Sequence, residues 1–288
     1  MNTLVMGGTR FNGLHLVQEL VRYGHGVTIL NRGLTETTLP KEVRRLYADR
    51  KDHAILQKAL ASELFDVVFD ISGYVVEDVK SMVDIFEGRI GHYIFASSTV
   101  VYEASNILPI TETFPVDRSP DQSDYGLNKI LCEEYLMQVS RQRNFPMTVA
   151  RFSMVLGPDN TLIDREQRMF IRLLSGRKIL IPGRGATLGQ IGHVDDQARA
   201  LRMMALNKRT FGEIYNVTGR DYFSDEGYVN TCAQVVGAEI QKLFVPAHLM
   251  DNASPELRRP LVQRLAPYIH RWDSSTVFSI RKVSEHLQ

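Results

Sequence analysis

The sequence predicts an α/β protein with a doubly wound parallel sheet. Through the first half of the chain, short apolar segments alternate with segments whose apolar residues recur at helical spacing. Several of the short segments, such as residues 67–71, are apolar on both faces, as is typical of parallel strands covered by helices on each side. Short connections between strands and helices predict right-handed crossovers.

Each predicted element has a local signal. In the first predicted helix, Leu16 and Leu20 follow helical spacing, and Gly24 ends the helix. The predicted strands are residues 4–6, 27–30, 43–47, 67–71, 93–96 and 147–152. The predicted helices between them are residues 12–22, 52–61, 75–86 and 125–143.

The second half of the chain is less regular. Loops rich in Gly and Pro surround a predicted helix at 166–175, and further helices are predicted at 194–206 and 224–236. Ser224 or Asp225 is the expected N-cap of the last of these helices, and residues 214–217 form a predicted strand. We therefore expect residues 1–152 to form the sheet core and 193–218 to return to it. Residues 153–192 and 219–288 would form a small lid over the carboxyl ends of the strands.

Composition excludes several classes of function. The chain has 288 residues, 44% of them hydrophobic, and a net charge of +1, which gives no electrostatic case for nucleic acid or an acidic membrane. Cys132 and Cys232 are too few for a disulfide framework, so we expect a reducing, cytoplasmic location. No apolar run is long enough for a membrane span, and no spacing of residues predicts a metal site.

A glycine-containing loop follows the first predicted strand. It consists of Gly7, Gly8, Thr9, Arg10, Phe11, Asn12 and Gly13. A loop between a strand and a helix can present backbone N–H groups and a helix N-terminus to a pyrophosphate. Arg10 stands where a middle glycine is expected, so the backbone must still turn there and the side chain would point towards the adenosine ribose. The loop predicts a dinucleotide site.

The end of the second predicted strand favours NADP over NAD. NAD sites usually carry a carboxylate there for the ribose hydroxyls, whereas this chain has Asn31 and Arg32. Arg10 and Arg32 could bracket a 2′-phosphate. The alternative is that Arg32 is solvated and Asn31 alone binds the ribose. Asp49, followed by Arg50, is placed to bind the adenine, although a loop carboxylate is also an ordinary helix N-cap.

Ser98, Tyr125 and Lys129 together predict a proton-transfer site beside a nicotinamide. Tyrosine is a poor base near neutral pH, because its reference pKa is about 10. Lys129 lies one helical turn after Tyr125, and its charge would favour the phenolate. Ser98 would hydrogen-bond the substrate oxygen while Tyr125 exchanges its proton. The neighbouring residues expected beside the cofactor are Ser72, Gly73, Ser97 and Phe152.

The chain resembles the extended short-chain dehydrogenases/reductases of the NAD-dependent epimerase/dehydratase family. The resemblance covers about residues 1–240 and includes the glycine loop and the segments 97–102, 125–129, 151–158 and 192–196. The glycine loop is most similar to a branch that includes chloroplast stem-loop-binding proteins and bacterial relatives. This resemblance implies a Rossmann-type dinucleotide-binding core, a small substrate-binding lid and a homodimer formed through two helices, one of which follows Tyr125.

Some positions depart from the family pattern. Thr99 and Val100 stand where nucleotide-sugar dehydratases carry an Asp-Glu pair, which argues against a dehydratase. Gly189 stands where many nucleotide-sugar epimerases carry an Arg that contacts the pyrophosphate. The candidate substitutes for this Arg are Arg165, Arg168 and Arg184. At residues 193–196, we expect Asp195 or Asp196 to cap the following helix rather than to bind a metal.

The predicted function is hydride transfer at a secondary alcohol or keto carbon of a sugar or sugar nucleotide, with Tyr125 as the acid/base. The family resemblance favours an epimerase that keeps its cofactor bound. One alternative is an NADPH-dependent reductase of a non-nucleotide carbonyl substrate, which the NADP preference favours. Another is a non-catalytic RNA-binding relative on the same fold, against which stand the complete triad and the low net charge.

Overall fold

Seven parallel strands form the centre of the protein. The structure is a computed structural model and describes residues 1–161, 166–246, 248–249 and 274–288. The strands of the central sheet are β1 (Asn2–Met6), β2 (Gly26–Asn31), β3 (Arg44–Tyr47), β4 (Val67–Asp70), β5 (His92–Ser98), β6 (Met147–Phe152) and β10 (Glu213–Val217). Their order across the sheet is β10-β6-β5-β4-β1-β2-β3, so the winding direction reverses between β1 and β4. In such sheets, ligands bind in the crevice beside this reversal.

Helices cover both faces of the sheet. The helices that flank it are α1 (Phe11–Arg22), α2 (His53–Leu60), α3 (Val76–Phe86), α4 (Asp124–Arg143) and α6 (Val194–Met204). Apolar residues of α2, α3 and α4 form one core, and those of α1 and α6 form the other. The predicted doubly wound fold is therefore confirmed. None of the helices in the described ranges is long and apolar enough to cross a membrane.

The second half adds two small sheets. The remaining elements are β7 (Met154–Leu156), α5 (Glu166–Leu174), β8 (Ile179–Pro182), β9 (Leu188–His193), β11 (Tyr222–Ser224), α7 (Asp225–Val236), β12 (Lys242–Val245) and α8 (Arg281–His286). Strands β11, β9 and β7 form one sheet and β12 and β8 the other. The sequence did not predict these short strands. Strand β10 pairs in parallel with β6, so that part of the segment 193–218 lies in the central sheet.

The structure shows which residues cap the N-termini of α7 and α6. Ser224 is the N-cap of α7, where its side chain accepts a hydrogen bond from the Gly227 N–H at 3.0 Å. The cap of α6 is neither Asp195 nor Asp196 but His193, whose Nδ1 accepts from the Asp195 N–H at 3.3 Å. Asp195 instead faces α1, where its Oδ1 lies 2.6 Å from Nδ1 of the buried His15. Because α6 begins at Val194, Asp195 and Asp196 lie inside its first turn rather than at the cap position.

A buried histidine links β5 to the chain after α6. The His92 Nδ1 accepts from the Leu206 N–H at 3.2 Å, so the proton of the neutral ring lies on Nε2, which donates to Thr148 Oγ1 at 2.8 Å. The ring also packs against Phe211, with 4.5 Å between ring centroids. Burial disfavours the charged ring and lowers the pKa of His92 to about 3.

We predict that His92 makes the fold sensitive to acid. The unfolded histidine titrates near 6.5 and the folded one near 3, so the unfolded state takes up the proton first and stability falls as the pH drops below 6.5. Between pH 7 and pH 5 this group should cost about 2 kcal/mol of unfolding free energy. Urea unfolding at several pH values should show this loss in the wild type and a shallower loss in His92→Gln. The exposed His53→Gln is the control; identical pH slopes in His92→Gln and the wild type would contradict the prediction.

Candidate functional site

A cleft of about 990 Å³ opens at the carboxyl ends of the central strands, beside the winding reversal. It brings together nearly all of the residues predicted from the sequence to bind a cofactor or a substrate. The predicted residues in its lining are Gly7, Thr9, Arg10, Phe11, Asn12, Gly13, Asn31, Arg32, Asp49, Arg50, Ser72, Ser97, Ser98, Tyr125, Lys129 and Phe152. The two predicted residues outside the lining are Gly8, which lies next to Ile29, and Gly73, which lies next to Phe95 and Asp70.

The glycine loop is shaped by close approaches of the backbone. Gly7 has a φ of +93°, and a Cβ there would lie 2.9 Å from Ser72 Cβ. A Cβ on Gly13 would lie 2.1 Å from the carbonyl oxygen of Gly7, so only glycine lets α1 begin this close to the end of β1. Gly8 faces the sheet, where a Cβ would lie 2.6 Å from a methyl carbon of Ile29.

Arg10 does not occupy a turn that requires glycine. Its backbone is extended, with φ −139° and ψ 145°, and it is the N-cap residue of α1. The left-handed turn expected at Arg10 lies one residue later, at Phe11, whose φ is +32°. The loop therefore tolerates a side chain at Arg10, which is exposed at the edge of the cleft.

The end of the cleft beside the glycine loop and β2 offers polar atoms that have no partner among the described residues. Asn31 accepts from the Gly33 N–H through Oδ1 at 2.8 Å, while in that part of the chain its buried Nδ2 and the buried Oδ1 of Asn12 have no partner. Asp49 accepts from the Lys51 N–H at 3.0 Å and is not the helix cap; Asp52 caps α2. Unsatisfied buried polar atoms are costly, so their presence at the wall of a cleft fits a polar ligand.

Arg50 lines the cleft, but its guanidinium binds protein groups. It donates to both carboxylate oxygens of Asp70, at 2.8 and 2.9 Å. It also donates to Ser72 Oγ at 3.0 Å and to the carbonyl oxygen of Asp78 at 2.9 Å. These contacts hold the segment that follows β4.

Ser98, Tyr125 and Lys129 meet at the other end of the cleft. Ser98 ends β5, while Tyr125 and Lys129 lie one turn apart at the start of α4. Tyr125 is 43% exposed and Lys129 only 2%. The Lys129 ammonium lies 5.7 Å from the centroid of the Tyr125 ring.

The Lys129 ammonium is held by two backbone carbonyls. Nζ donates to Ala96 O at 2.6 Å and to Gly73 O at 2.7 Å, and it lies 4.5 Å from the centroid of the Phe95 ring. Burial lowers the pKa of Lys129 to about 8, with the negative charge of Asp70 acting in the opposite direction. The amine therefore stays largely protonated at neutral pH, although it is close to titrating.

A second buried charge pair, which the sequence did not reveal, lies one turn further along α4. Glu133 accepts from Ser97 Oγ at 2.5 Å and from Nε of Arg151 on β6 at 3.1 Å. Tyr125, Lys129 and Glu133 follow one another at four-residue spacing, so they share one face of α4. That spacing, together with an arginine inside a buried strand, is the signal by which Glu133 could have been found. The pair fixes α4 against β5 and β6.

The substrate side differs from the pattern of the family. Thr99 and Gly189 both line a smaller cavity of about 50 Å³ next to Ser98. Among the described residues in its lining, Glu103 is the only charged side chain. Of the candidate phosphate-binding arginines, Arg184 is exposed and Arg168 is half-buried on α5. Arg165 lies outside the described residues.

Comparisons with known proteins agree with this architecture. Residues 3–218 match the model of the NAD dependent epimerase/dehydratase family. The chain belongs to this family. Over 247 residues it is 35% identical to the chloroplast stem-loop binding protein of 41 kDa b from Arabidopsis thaliana. This alignment covers 81% of the present chain and 63% of the Arabidopsis protein. It is 22% identical to the 2'-dehydrokanamycin reductase of Streptomyces kanamyceticus, over 86% of the chain and 70% of that enzyme.

Solved structures share the fold at low sequence identity. The UDP-glucose 4-epimerase of Thermotoga maritima superposes with a TM-score of 0.78 at 18% identity, over 99% of this chain and 92% of that one. The UDP-glucuronic acid 4-epimerase of Bacillus cereus, solved with its substrate and NAD, gives 0.77 at 18% identity, over 100% and 93% of the two chains. The predicted family and Rossmann-type fold are both confirmed.

We predict that Gly13→Ala distorts the start of α1. Its methyl group would meet the Gly7 carbonyl at 2.1 Å, so the helix must shift. We expect a loss of about 1–3 kcal/mol in unfolding free energy and at least roughly tenfold weaker NAD(P)H binding. Chemical denaturation and fluorescence titration measure the two effects. Gly26→Ala is the matched control, because a Cβ there meets nothing closer than 3.5 Å. Unchanged binding by Gly13→Ala would show that the close approach is not needed.

Proposed function

We propose that the protein is a NAD(P)-dependent oxidoreductase or epimerase that acts at a secondary alcohol or keto carbon of a sugar or sugar nucleotide. The observation that carries this proposal is that Ser98, Tyr125 and Lys129 line the same cleft as the glycine loop. The glycines at the loop and the unpartnered atoms of Asn12 and Asn31 fit a dinucleotide. The family model and the NAD-bound epimerase of Bacillus cereus support the same cofactor class.

The residues of the triad have separate roles in this proposal. A bound nicotinamide dinucleotide would supply the hydride acceptor and donor. Tyr125 exchanges a proton with the substrate hydroxyl, and Ser98 holds the substrate oxygen by a hydrogen bond. Lys129 lowers the cost of the Tyr125 phenolate through its positive charge, and its one remaining N–H can bind a ribose hydroxyl. Glu133 and Arg151 keep α4 in place but do not reach the reacting atoms.

The proposal includes epimerases and net reductases, because both reactions use the same triad. The structural relatives include UDP-sugar 4-epimerases, and a sequence relative is named a 2'-dehydrokanamycin reductase. Thr99 has no carboxylate for the removal of water, which argues against a dehydratase. Gly189 and the neutral side chains beside it favour a substrate that does not place a diphosphate in the small cavity.

The proposed cofactor is NADP. Arg10 and Arg32 are both exposed at the mouth of the cleft, and within the described part of the chain neither guanidinium has an ion-pair partner. No carboxylate follows β2, where NAD sites usually have one. Two free guanidinium groups at this end of the cleft would suit a 2′-phosphate.

A homodimer through two helices, one of which is α4, and a cytoplasmic location remain predictions. In support of the dimer, α4 packs on α3, and Leu127 and Leu131 of α4 are more than a third exposed. These leucines provide apolar surface for a second copy of the chain.

The second candidate function is RNA binding. It is favoured by the name of the Arabidopsis relative, a stem-loop binding protein, of which this chain spans 63%. The net charge of +1 weighs against it, since binding to a phosphate backbone depends on clustered positive charge. The two functions differ in whether they require the hydroxyl of Tyr125.

We predict that Arg32→Asp weakens NADPH binding by roughly 10- to 100-fold, as expected for the loss of a hydrogen bond between charged groups. NADH binding should change by less than about threefold, because NADH lacks the 2′-phosphate. Fluorescence titration with each nucleotide measures both dissociation constants. Arg22→Asp, at the far end of α1, makes the same change in net charge and should affect neither nucleotide. Equal losses for both nucleotides in Arg32→Asp would refute the NADP assignment.

We predict that Tyr125→Phe lowers turnover by roughly 10²- to 10⁴-fold while NAD(P)H binding is retained, because only the proton-transfer group is removed. Turnover is measured by the interconversion of UDP-sugars and by the oxidation of NADPH with keto sugars. In parallel, a stem-loop RNA is titrated against both proteins. RNA binding that is equal in both proteins, together with no turnover by the wild type, would favour the RNA-binding function instead.

A further inference from the structure

Asp70 is a buried carboxylate in the middle of the central sheet. It ends β4 and has no exposed surface. Besides both bonds from Arg50, it accepts from the Tyr93 hydroxyl at 2.6 Å and from the Ser72 N–H at 3.2 Å. The Arg50 guanidinium and these hydrogen bonds hold the pKa of Asp70 below its ordinary value despite the burial. Burial of a charge is costly unless hydrogen bonds and an opposite charge compensate for it, as Arg50, Tyr93 and Ser72 do for Asp70.

The carboxylate and its partner fix the backbone that follows β4. Arg50 binds Ser72 Oγ at one end of this segment and the Asp78 carbonyl at the other. The Asp78 carboxylate accepts from the Tyr74 N–H at 2.9 Å and from the Val75 N–H at 3.2 Å. Ser72, Tyr74 and Val75 are therefore each held by a hydrogen bond to Arg50 or to one of the two aspartates.

Gly73 lies in the middle of this segment, next to the ion pair. A Cβ at Gly73 would lie 2.9 Å from the Phe95 ring and 3.1 Å from Asp70 Oδ2, so there is no room for a side chain between Gly73 and the carboxylate. The carbonyl of Gly73 is one of the two that bind Lys129. Gly73 therefore adjoins Asp70 and binds Lys129.

The charged and titratable groups around Lys129 come from several elements. Asp70 and Glu133 favour the ammonium and Arg50 disfavours it, while Cys132 is the neighbouring thiol on α4. The aromatic rings of Tyr74, Phe95 and Tyr125 also face the ammonium. Glu133 is paired with Arg151 and Asp70 with Arg50, so Lys129 faces two ion pairs. Only the pair at Asp70 also adjoins Gly73, whose carbonyl binds the ammonium.

We propose that Asp70 and Arg50 are positioning residues for Lys129. Their ion pair fixes the Gly73 carbonyl that holds the ammonium, and their opposite charges set how readily Lys129 keeps its proton. Arg50, although it lines the cleft, acts on the lysine rather than on the cofactor. The relevance to catalysis rests on the proposed role of Lys129 beside Tyr125.

Charge and structural support make different predictions for single substitutions. Asp70→Asn removes a negative charge, so Lys129 should lose its proton at a lower pH. Arg50→Met removes a positive charge, so Lys129 should lose its proton at a higher pH. If the two residues only stiffened the segment, both substitutions would loosen the same Gly73 contact and shift the titration in the same direction or not at all.

The experiment is an NMR titration of the full-length protein labelled with ¹³C at lysine Cε, in the absence of cofactor and substrate. The Lys129 signal is the one that disappears in Lys129→Met, and in the wild type it should titrate well below the value near 10.4 of exposed lysines. We expect a downward shift of roughly one pH unit in Asp70→Asn and an upward shift in Arg50→Met. Glu63→Gln, which removes a carboxylate paired with Arg44 at the surface, should leave the signal unchanged.

Shifts in the same direction, or no shift in either variant, would overturn the proposal. If Asp70→Asn does not fold, Arg50→Lys and Arg50→Met still decide the question: the first keeps the charge and should titrate as the wild type does, and only the second should rise. Equal titration of these two variants would contradict the role of charge. Because no cofactor or substrate is present, a failure here is distinct from a failure of the proposed enzymatic function.

Discussion

A buried ammonium is the constraint on which the cleft depends. Lys129 leaves water almost completely, so its N–H groups need acceptors at fixed positions. Two of these acceptors are carbonyls at the ends of neighbouring parallel strands, Ala96 on β5 and Gly73 just after β4. The bonds can form only where α4 crosses these two strand ends. The position of the helix, and therefore of Tyr125, follows from the need to satisfy Lys129.

The same segment after β4 also limits the glycine loop. Ser72 packs against Gly7 so closely that a side chain at Gly7 would collide with it. The loop at one end of the cleft and the lysine at the other therefore share a wall, residues 72–75, which Arg50 and Asp78 hold in place. A displacement of this wall would move both ends of the site together. Two buried ion pairs adjoin the cleft: the pair at Asp70 stabilises this wall, and the pair at Glu133 fixes α4.

The sequence predicted the central sheet well because its signals are local. Residues apolar on both faces of a strand, and apolar residues at helical spacing, identify β1 to β6 and the helices between them without knowledge of the fold. The short strands β7, β8, β9, β11 and β12 were missed because they have three to six residues and all but β11 contain or adjoin Gly or Pro. Their pairing depends on distant partners; β8, for example, pairs with β12 more than sixty residues later. The cap of α6 was predicted wrongly because the helix begins at Val194, before either aspartate, and His193 takes the cap position.

The same distinction between local and distant signals applies to the site. Ser98, Tyr125 and Lys129 could be found because their spacing along the chain reflects one strand end and one helix face. The partners of Lys129 could not be found in this way, because Asp70 at the end of β4 meets Arg50, in the loop between β3 and α2, only in the folded protein. On the substrate side, the positions that distinguish members of the family are neutral here, with Thr99 and Gly189 beside a single carboxylate in the described lining. Charge is thus concentrated behind Lys129 and is sparse in the lining of the small cavity. This division suits the proposed function, in which buried charges would govern the proton transfer, while the shape of the cavity and neutral hydrogen bonds would select the substrate.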